Sequence, residues 1–369
     1  MLIPVNAPVI SPEAKKNLMD AVESGWISSA GKYLSEFEEN FAKIYGVKQA
    51  IAVANGTAAL HVALMALGIK AGDEVIVPAF TMAASWLAVM YTGAKPVFVD
   101  CERETYNIAV DKIVAKITKR TKAIMPVHIY GHPCEMTAIM EIAQRYKLAV
   151  IEDAAEVHGA TYQGKLAGTF GEIGCFSFYA NKIITTGEGG MIITDSLELA
   201  EKCRKLKDLH HSATRFIHDG LGYNYRLTNM QAALGVGELQ HLDEYVEKKI
   251  WLADLYNQLL ADVPGLKLPI TKPGVKNVFW MYAILVDQEK FGLDRDELRR
   301  ALKDRGVETR DFFYAPSDQP VLKDIIGAER FPNTEFIAAH GLYLPSGLNL
   351  TEEQINFVCQ KIKEIRLAK

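Results

Sequence analysis

Through the first two thirds of the chain, short apolar runs of strand length alternate with stretches of helical period. That alternation restricts the fold more than any other feature. QAIAVA (49–54), DEVIVPAF (73–80), KPVFVD (95–100), KAIMPVHIYG (122–131), LAVIED (148–153), CFSFYA (175–180) and GMIITD (190–195) read as strands. Between them, Ser11-Pro12 opens a helix that Gly25 stops, with proline at the first helical position. Ser35 and Glu38 read as a capping box for a second helix ending near Gly46. Residues 56–67 read as a third, with Leu60, Leu64 and Leu67 on one side. Alternation of this kind predicts a layered α/β domain with a mainly parallel sheet, and ligands at the carboxyl ends of its strands.

Beyond residue 228 the pattern becomes long-helical, from Thr228 through Leu242 to Leu260, and VPGLKLP (263–269) breaks it. A strand at 279–287 and a helix at 295–304 follow. We expect a large domain over residues 1–245 and a smaller C-terminal α+β domain over residues 246–369.

An apolar fraction of 49% with 23% charged residues is that of a soluble globular protein. The net charge of −4, with no Lys/Arg-rich run, argues against nucleic-acid binding. No stretch approaches the roughly 20 apolar residues of a membrane span. MLIPVNAPVI has two prolines and no basic leader, so no signal peptide is expected. Five scattered cysteines without a C-x-x-C read as reduced thiols of a cytoplasmic protein, not as a disulfide frame or a metal site.

Three segments carry chemistry. In NGTAAL (55–60) a strand gives way to a helix, and free amides at a helix N-terminus form an anion site. Gly56 lets a phosphate approach the backbone and Thr57 adds a hydroxyl; an ordinary capped turn would look the same. In EDAAEVHGA (152–160), Asp153 closes an apolar strand, where a carboxylate needs a partner such as a protonated pyridine nitrogen. The plain alternative is a helix cap. In FSFYANKIITTGEGGMI (176–192), Lys182 lies in a mostly apolar stretch before Gly187, Gly189 and Gly190, and Ser177 offers a hydroxyl to a phosphate. A lysine is nucleophilic only when neutral, which partial desolvation favours. The alternative is a hairpin with a solvated lysine. Together, in this order, the three segments have the arrangement of a fold-type I pyridoxal phosphate enzyme.

The chain resembles the DegT/DnrJ/EryC1/StrS family of sugar aminotransferases over nearly its whole length, from GWISSAGKYLSEFEENFA to YLPSGLNLTEEQI. GWISSAGKY, NGTAAL, GDEVIVP, VHIYG, FSFYANKIITTGEGGM, YNYRLTN and RDFFYAP are most similar to the GDP-perosamine synthase branch. The resemblance implies an aspartate aminotransferase-like fold and pyridoxal 5′-phosphate as cofactor. It implies that Lys182 forms the Schiff base and shuttles protons, that Asp153 pairs the pyridine nitrogen, and that Gly56, Thr57 and Ser177 hold the phosphate. Glu156 would lie near the ring hydroxyl, where many relatives have Gln. Such a carboxyl should hold or share a proton.

Met82 stands where relatives often place an aromatic residue over the cofactor ring. Trp86 could serve there or belong to the core. Asn224 is expected to reach the phosphate of a neighbouring subunit, giving a homodimer with shared active sites. Ser28, Ser29, Gly31, Arg215, His218 and Tyr314 are candidates to contact a sugar nucleotide. His128, His210, His211 and His218 could equally be surface or core residues. Relatives that dehydrate sugars carry His where this chain has Lys182, so Lys182 argues for transamination. The implied reaction moves an amino group from glutamate to C4 of a nucleotide-linked 4-keto-6-deoxy sugar, for O-antigen or another surface glycan. The rivals are a UDP- or dTDP-linked sugar or amination at C3, a non-catalytic cofactor-binding regulator, and a desulfurase, which would need a reactive cysteine.

Overall fold

The computed structural model describes residues 2–214 and 216–368. Seven strands form the main sheet. From one edge they run Gln49–Val53, Gly190–Thr194, Ile173–Ser177, Ala149–Asp153, Thr121–Ile124, Glu74–Pro78 and Lys95–Val99. Gly190–Thr194 is antiparallel to both neighbours; the remaining pairings are parallel. Six carboxyl ends and the start of Gly190–Thr194 therefore meet along one edge.

Both faces of the sheet are covered, which is why its strands read as continuous apolar runs. Ile51, Val53, Ile151, Cys175 and Ile192 pack with Leu60 and Leu64 of helix Gly56–Ala66 and with Cys203 of helix Leu197–Lys207. Ala50, Ala52, Phe176, Met191 and Ile193 pack with Phe37 and Phe41 of helix Lys32–Tyr45 and Val236 of helix Asn229–Leu239.

Three local expectations are corrected. The helix assigned a Ser35–Glu38 capping box begins four residues earlier, at Lys32, after Gly31 at φ 143°. Asn229 Oδ1 accepts from the Tyr33 amide at 3.1 Å and so caps it from another helix. Glu38 accepts instead from the Ala52 amide at 2.8 Å and Lys207 Nζ at 3.2 Å. The strand expected over 122–131 ends at Ile124. Pro126 has no N–H for a ladder, and Tyr130 turns the chain at φ 55°. The long helix from Thr228 is two helices, Asn229–Leu239 and Leu242–Leu260, separated at Gln240 and His241.

A four-stranded antiparallel sheet, in the order Leu266–Lys267, Tyr282–Val286, Gly341–Leu344, Arg310–Asp311, forms the second layer system. Its core includes Tyr256, Ile284, Leu298 and Ile362. Ile3 joins that core too, because its amide donates to Gly306 and its carbonyl accepts from Glu308. Helix Leu242–Leu260 packs Leu242 and Val246 into the first core and Leu252 and Leu260 into the second, so a division at 245/246, which we keep as a proposal, falls within a helix.

Candidate active site

At the carboxyl edge of the main sheet lies a cavity of about 880 Å³. Gly56, Thr57, Met82, Asp153, Glu156, Ser177, Lys182 and Tyr314, all expected from the sequence, line it.

Asp153 ends its strand and is 5% exposed. Ser85 Oγ donates to its Oδ2 at 2.7 Å, and Ser85 is in turn 2.8 Å from Thr81 Oγ1. The Ala155 amide donates to Oδ1 at 3.2 Å. Burial nevertheless outweighs these bonds and raises the carboxyl above its ordinary pKa. A cation placed beside it would restore the ionised form.

Glu156 is held by the Tyr130 amide, which donates to Oε2 at 2.7 Å, and Tyr343 OH donates to Tyr130 OH at 2.8 Å. Burial lifts Glu156 from 4.5 to about 7, against the pull of Lys182 and of the Tyr130 amide. Lys182 Nζ lies 3.6 Å from Glu156 Oε1 and 3.6 Å from the centroid of the Trp280 ring. The lysine side chain is only 10% exposed, so the solvated-hairpin alternative does not describe it. Burial lowers its pKa while Glu156 and Asp153 oppose that shift. In this buried pair desolvation favours the neutral form of both partners, and a neutral amine is the nucleophilic form.

A cradle for a phosphate stands at the other end. Asn55 caps helix Gly56–Ala66, its side chain taking the Ala58 amide at 2.8 Å and its carbonyl the Ala59 amide. The amides of Gly56 and Thr57 have no acceptor within the helix. A Cβ on Gly56 would stand 2.8 Å from Ser177 Cβ, so only glycine keeps the strand and helix this close. Of the three glycines after Lys182, Gly187 alone turns at positive φ, 82°. Gly190 is needed for contact, since a Cβ there would lie 2.5 Å from the Asn55 carbonyl oxygen. Amides without an acceptor in their own helix, a hydroxyl, a buried carboxyl short of a cation and a desolvated amine together suit an aromatic aldehyde phosphate with a basic ring nitrogen.

Other expected residues lie elsewhere in this chain. Asn224 is exposed and its Oδ1 accepts from Arg226. His218 is exposed, 2.8 Å from the Leu209 carbonyl oxygen through Nδ1, in an excursion that does not line the cavity. Ser29 is half-buried and Ser28 exposed beside the Asn229 cap, also away from it. Arg215 lies outside the described residues. Met82 is 51% exposed, and its Sδ accepts from the Ala84 amide at the start of helix Ala83–Tyr91. Trp86 belongs to the core while also bordering the cavity. Sequence reasoning missed Ser85, Tyr130, Trp280 and Arg310, of which Trp280 and Arg310 line the cavity directly.

Comparison with known proteins accords with this geometry. The DegT/DnrJ/EryC1/StrS aminotransferase family profile matches residues 8–363. The chain is 42% identical over 363 residues to the GDP-perosamine synthase of Escherichia coli O157:H7, covering 98% of each chain. It is 40% identical to the GDP-perosamine synthase of Vibrio cholerae, again over 98% of each. Among solved structures, S. venezuelae DesV in complex with a ketimine intermediate superposes with a TM-score of 0.90 at 36% identity, covering 96% of this chain and 94% of that one. The chain belongs to the DegT/DnrJ/EryC1/StrS aminotransferase family and is a pyridoxal phosphate-dependent sugar aminotransferase with the fold-type I architecture.

Proposed function

We propose that the chain transfers an amino group from glutamate to C4 of a nucleotide-linked 4-keto-6-deoxy sugar, with a GDP-linked sugar as the favoured acceptor and surface-glycan biosynthesis as the setting. The observation that carries the chemistry is the desolvated Lys182 amine 3.6 Å from Glu156 in the cavity that Asp153 borders. The likeness to GDP-perosamine synthases supports the acceptor.

Pyridoxal phosphate, when bound, supplies a carbonyl for amines and a ring that accepts electrons. In this reading Asp153 holds the proton on the ring nitrogen, and Ser85 and the Ala155 amide orient it. Gly56, Thr57 and Ser177 hold the phosphate. Glu156 would hold the ring-hydroxyl side and Met82 the face of the ring, both from the cavity wall. Lys182 accepts and returns the proton that moves during amino transfer, since burial weakens the hold of its amine on a proton while Glu156 and Asp153 oppose that shift. Tyr314 contacts the sugar nucleotide, with Ser29, His218, Arg215 and Asn224 supplied from a partner subunit. The strongly exposed Phe216 and Leu221 beside them support a homodimer with shared sites, working in the cytoplasm.

A desulfurase is disfavoured because all five cysteines are buried, and burial pushes the cavity-lining Cys175 thiol well above its usual value. A regulator without catalysis is disfavoured because it would not need the lysine desolvated beside a carboxyl that can share its proton. UDP- or dTDP-linked acceptors, or amination at C3, are separated by assay. The test is an absorbance spectrum of the purified protein with pyridoxal phosphate. A band of lysine-bound cofactor should disappear with glutamate and return with one keto-sugar nucleotide only. No such band with Lys182 intact would overturn the reading.

A further inference from the structure

We propose that Trp280 is the platform on which the Lys182 amine rests whenever it is not bonded to cofactor, and that Lys249 is the positioning residue that holds this platform. The proposal rests on the reading of Lys182 as the reacting amine. Lys182 Nζ stands 3.6 Å from the centroid of the Trp280 ring, within reach of the negative face of the indole. Trp280 is itself 5% exposed and clamped at both ends. Its Nε1 donates to the Asn181 carbonyl at 2.8 Å, next to the lysine in sequence. Its own carbonyl accepts from Lys249 Nζ at 2.7 Å.

Lys249 is an unusual choice for this position. It is 2% exposed, and its bonds among the described residues go to two carbonyls, those of Trp280 and Ser346, rather than to a carboxylate. An apolar side chain would pack there without the cost of desolvating an amine. What lysine adds is a pair of donors that tie helix Leu242–Leu260 to the chain just before strand Tyr282–Val286 and just after strand Gly341–Leu344. Lys182, Lys249 and Trp280 border one gap of about 10 Å³, so clamp, platform and amine are separated by little space.

Among the described residues, Glu156 and Asp153 favour the charged form of the Lys182 amine, and the lysine's charge in turn disfavours protonation of His158, which is buried with both ring nitrogens unpartnered. The indole acts with the carboxylates, offsetting part of the desolvation. A released amine is thereby kept in one place within the site, rather than free to adopt other rotamers. For a group that must hand a proton back to the same atoms, that placement governs the rate of return.

The test reads the lysine without requiring turnover. The full-length protein, stripped of cofactor, is acetylated with limiting acetic anhydride across a pH series, and mass spectrometry of peptides gives the midpoint at which Lys182 becomes reactive. Removing the ring face destabilises the ammonium, so in Trp280→Leu the midpoint should fall by about half a pH unit to one and a half units. Trp280→Phe should shift it less, because a ring face remains. Lys249→Met should move it in the same direction with the fold retained by circular dichroism, and Lys249→Gln, which retains a donor, should restore it in part. A folded Trp280→Leu protein, or Trp280→Met should the leucine variant fail to fold, that keeps the wild-type midpoint within about 0.2 unit overturns the platform. An unmoved midpoint in folded Lys249→Met overturns the clamp. If the midpoints move as expected but the wild type never exchanges an amino group with glutamate, the platform stands and the proposed function falls.

Discussion

Replacing Glu156 by glutamine isolates the proton that burial gives this carboxyl. Glu156 is 4% exposed, and burial raises it from 4.5 to about 7. The unfolded chain ionises it near 4.5, so between there and about 7 the folded state holds a proton that the unfolded state has released. Stability therefore falls as pH rises through that window and levels off above it. The gap of about 2.5 units, at about 1.36 kcal/mol per unit, amounts to about 3 kcal/mol. Glutamine has no proton to lose and keeps an acceptor for the Tyr130 amide. Its neutrality also lets burial lower Lys182 further, and a depressed lysine gains stability as pH rises, so both effects have one sign. The assay is urea unfolding of cofactor-free wild type and variant between about pH 4.5 and 7.5, at fixed ionic strength and protein concentration. The stability of the variant relative to wild type should grow by about 3 kcal/mol across that range. A difference that stays constant within about 0.5 kcal/mol would mean that Glu156 is ionised in the folded protein throughout, and would refute the argument that desolvation outweighs Lys182 at this distance.

Lys182→Ala should abolish the absorbance band of lysine-bound cofactor and lower the transamination rate by at least about 10²-fold, measured with glutamate alone in single turnover. Asp153→Asn retains the Ser85 contact but cannot pair a protonated ring nitrogen. It should lower kcat by roughly 10²–10³-fold while Kd for the cofactor changes far less, and equal losses in both would count against the ion pair. Gly56→Ala places a Cβ 2.8 Å from Ser177 Cβ and 3.4 Å from Ser177 Cα, a backbone atom that cannot swing away. The expected result is a loss of about 1–3 kcal/mol by denaturant unfolding together with weakened cofactor binding; unchanged values for both would show that the helix moves freely from the strand.

The α/β architecture could be read from the sequence because both sheet faces are covered. Each strand is then an apolar run, and Ile51 and Val53 face one helical layer while Ala50 and Ala52 face the other. What could not be read were the places where a distant group takes over a local task. Ser35 and Glu38 have the spacing of a capping box, but Asn229 caps that helix from 196 residues away, which leaves Glu38 for the Ala52 amide. Pro126 and Tyr130 lie within an apolar run, yet one lacks a donor and the other adopts positive φ, so the run stops being a strand after Ile124.

The same distinction divides the candidate site. Lys182, Asp153, Gly56 and Ser177 sit at the strand ends or just beyond them, and their chemistry stands out against apolar neighbours, so one sequence suffices to single them out, whereas Glu156 is singled out only by the family resemblance. Their supports do not announce themselves. Ser85 reaches Asp153 across 68 residues, and Trp280 reaches Asn181 across 99. In the sequence, Ser85 is a polar residue in an apolar helix and Trp280 one more aromatic in a strand. Both acquire a task only when the fold encloses the carboxyl and the amine together. That enclosure also produces the chemistry. A carboxylate at a strand end in water would be ionised and a lysine protonated, and neither would be poised for proton transfer. Buried within 3.6 Å of each other, Glu156 rises to about 7 and Lys182 falls. The reactive state of the pair is therefore a property of the sheet edge and of the residues that close it, and variants of Ser85, Tyr130 or Trp280 should alter it without touching either group directly.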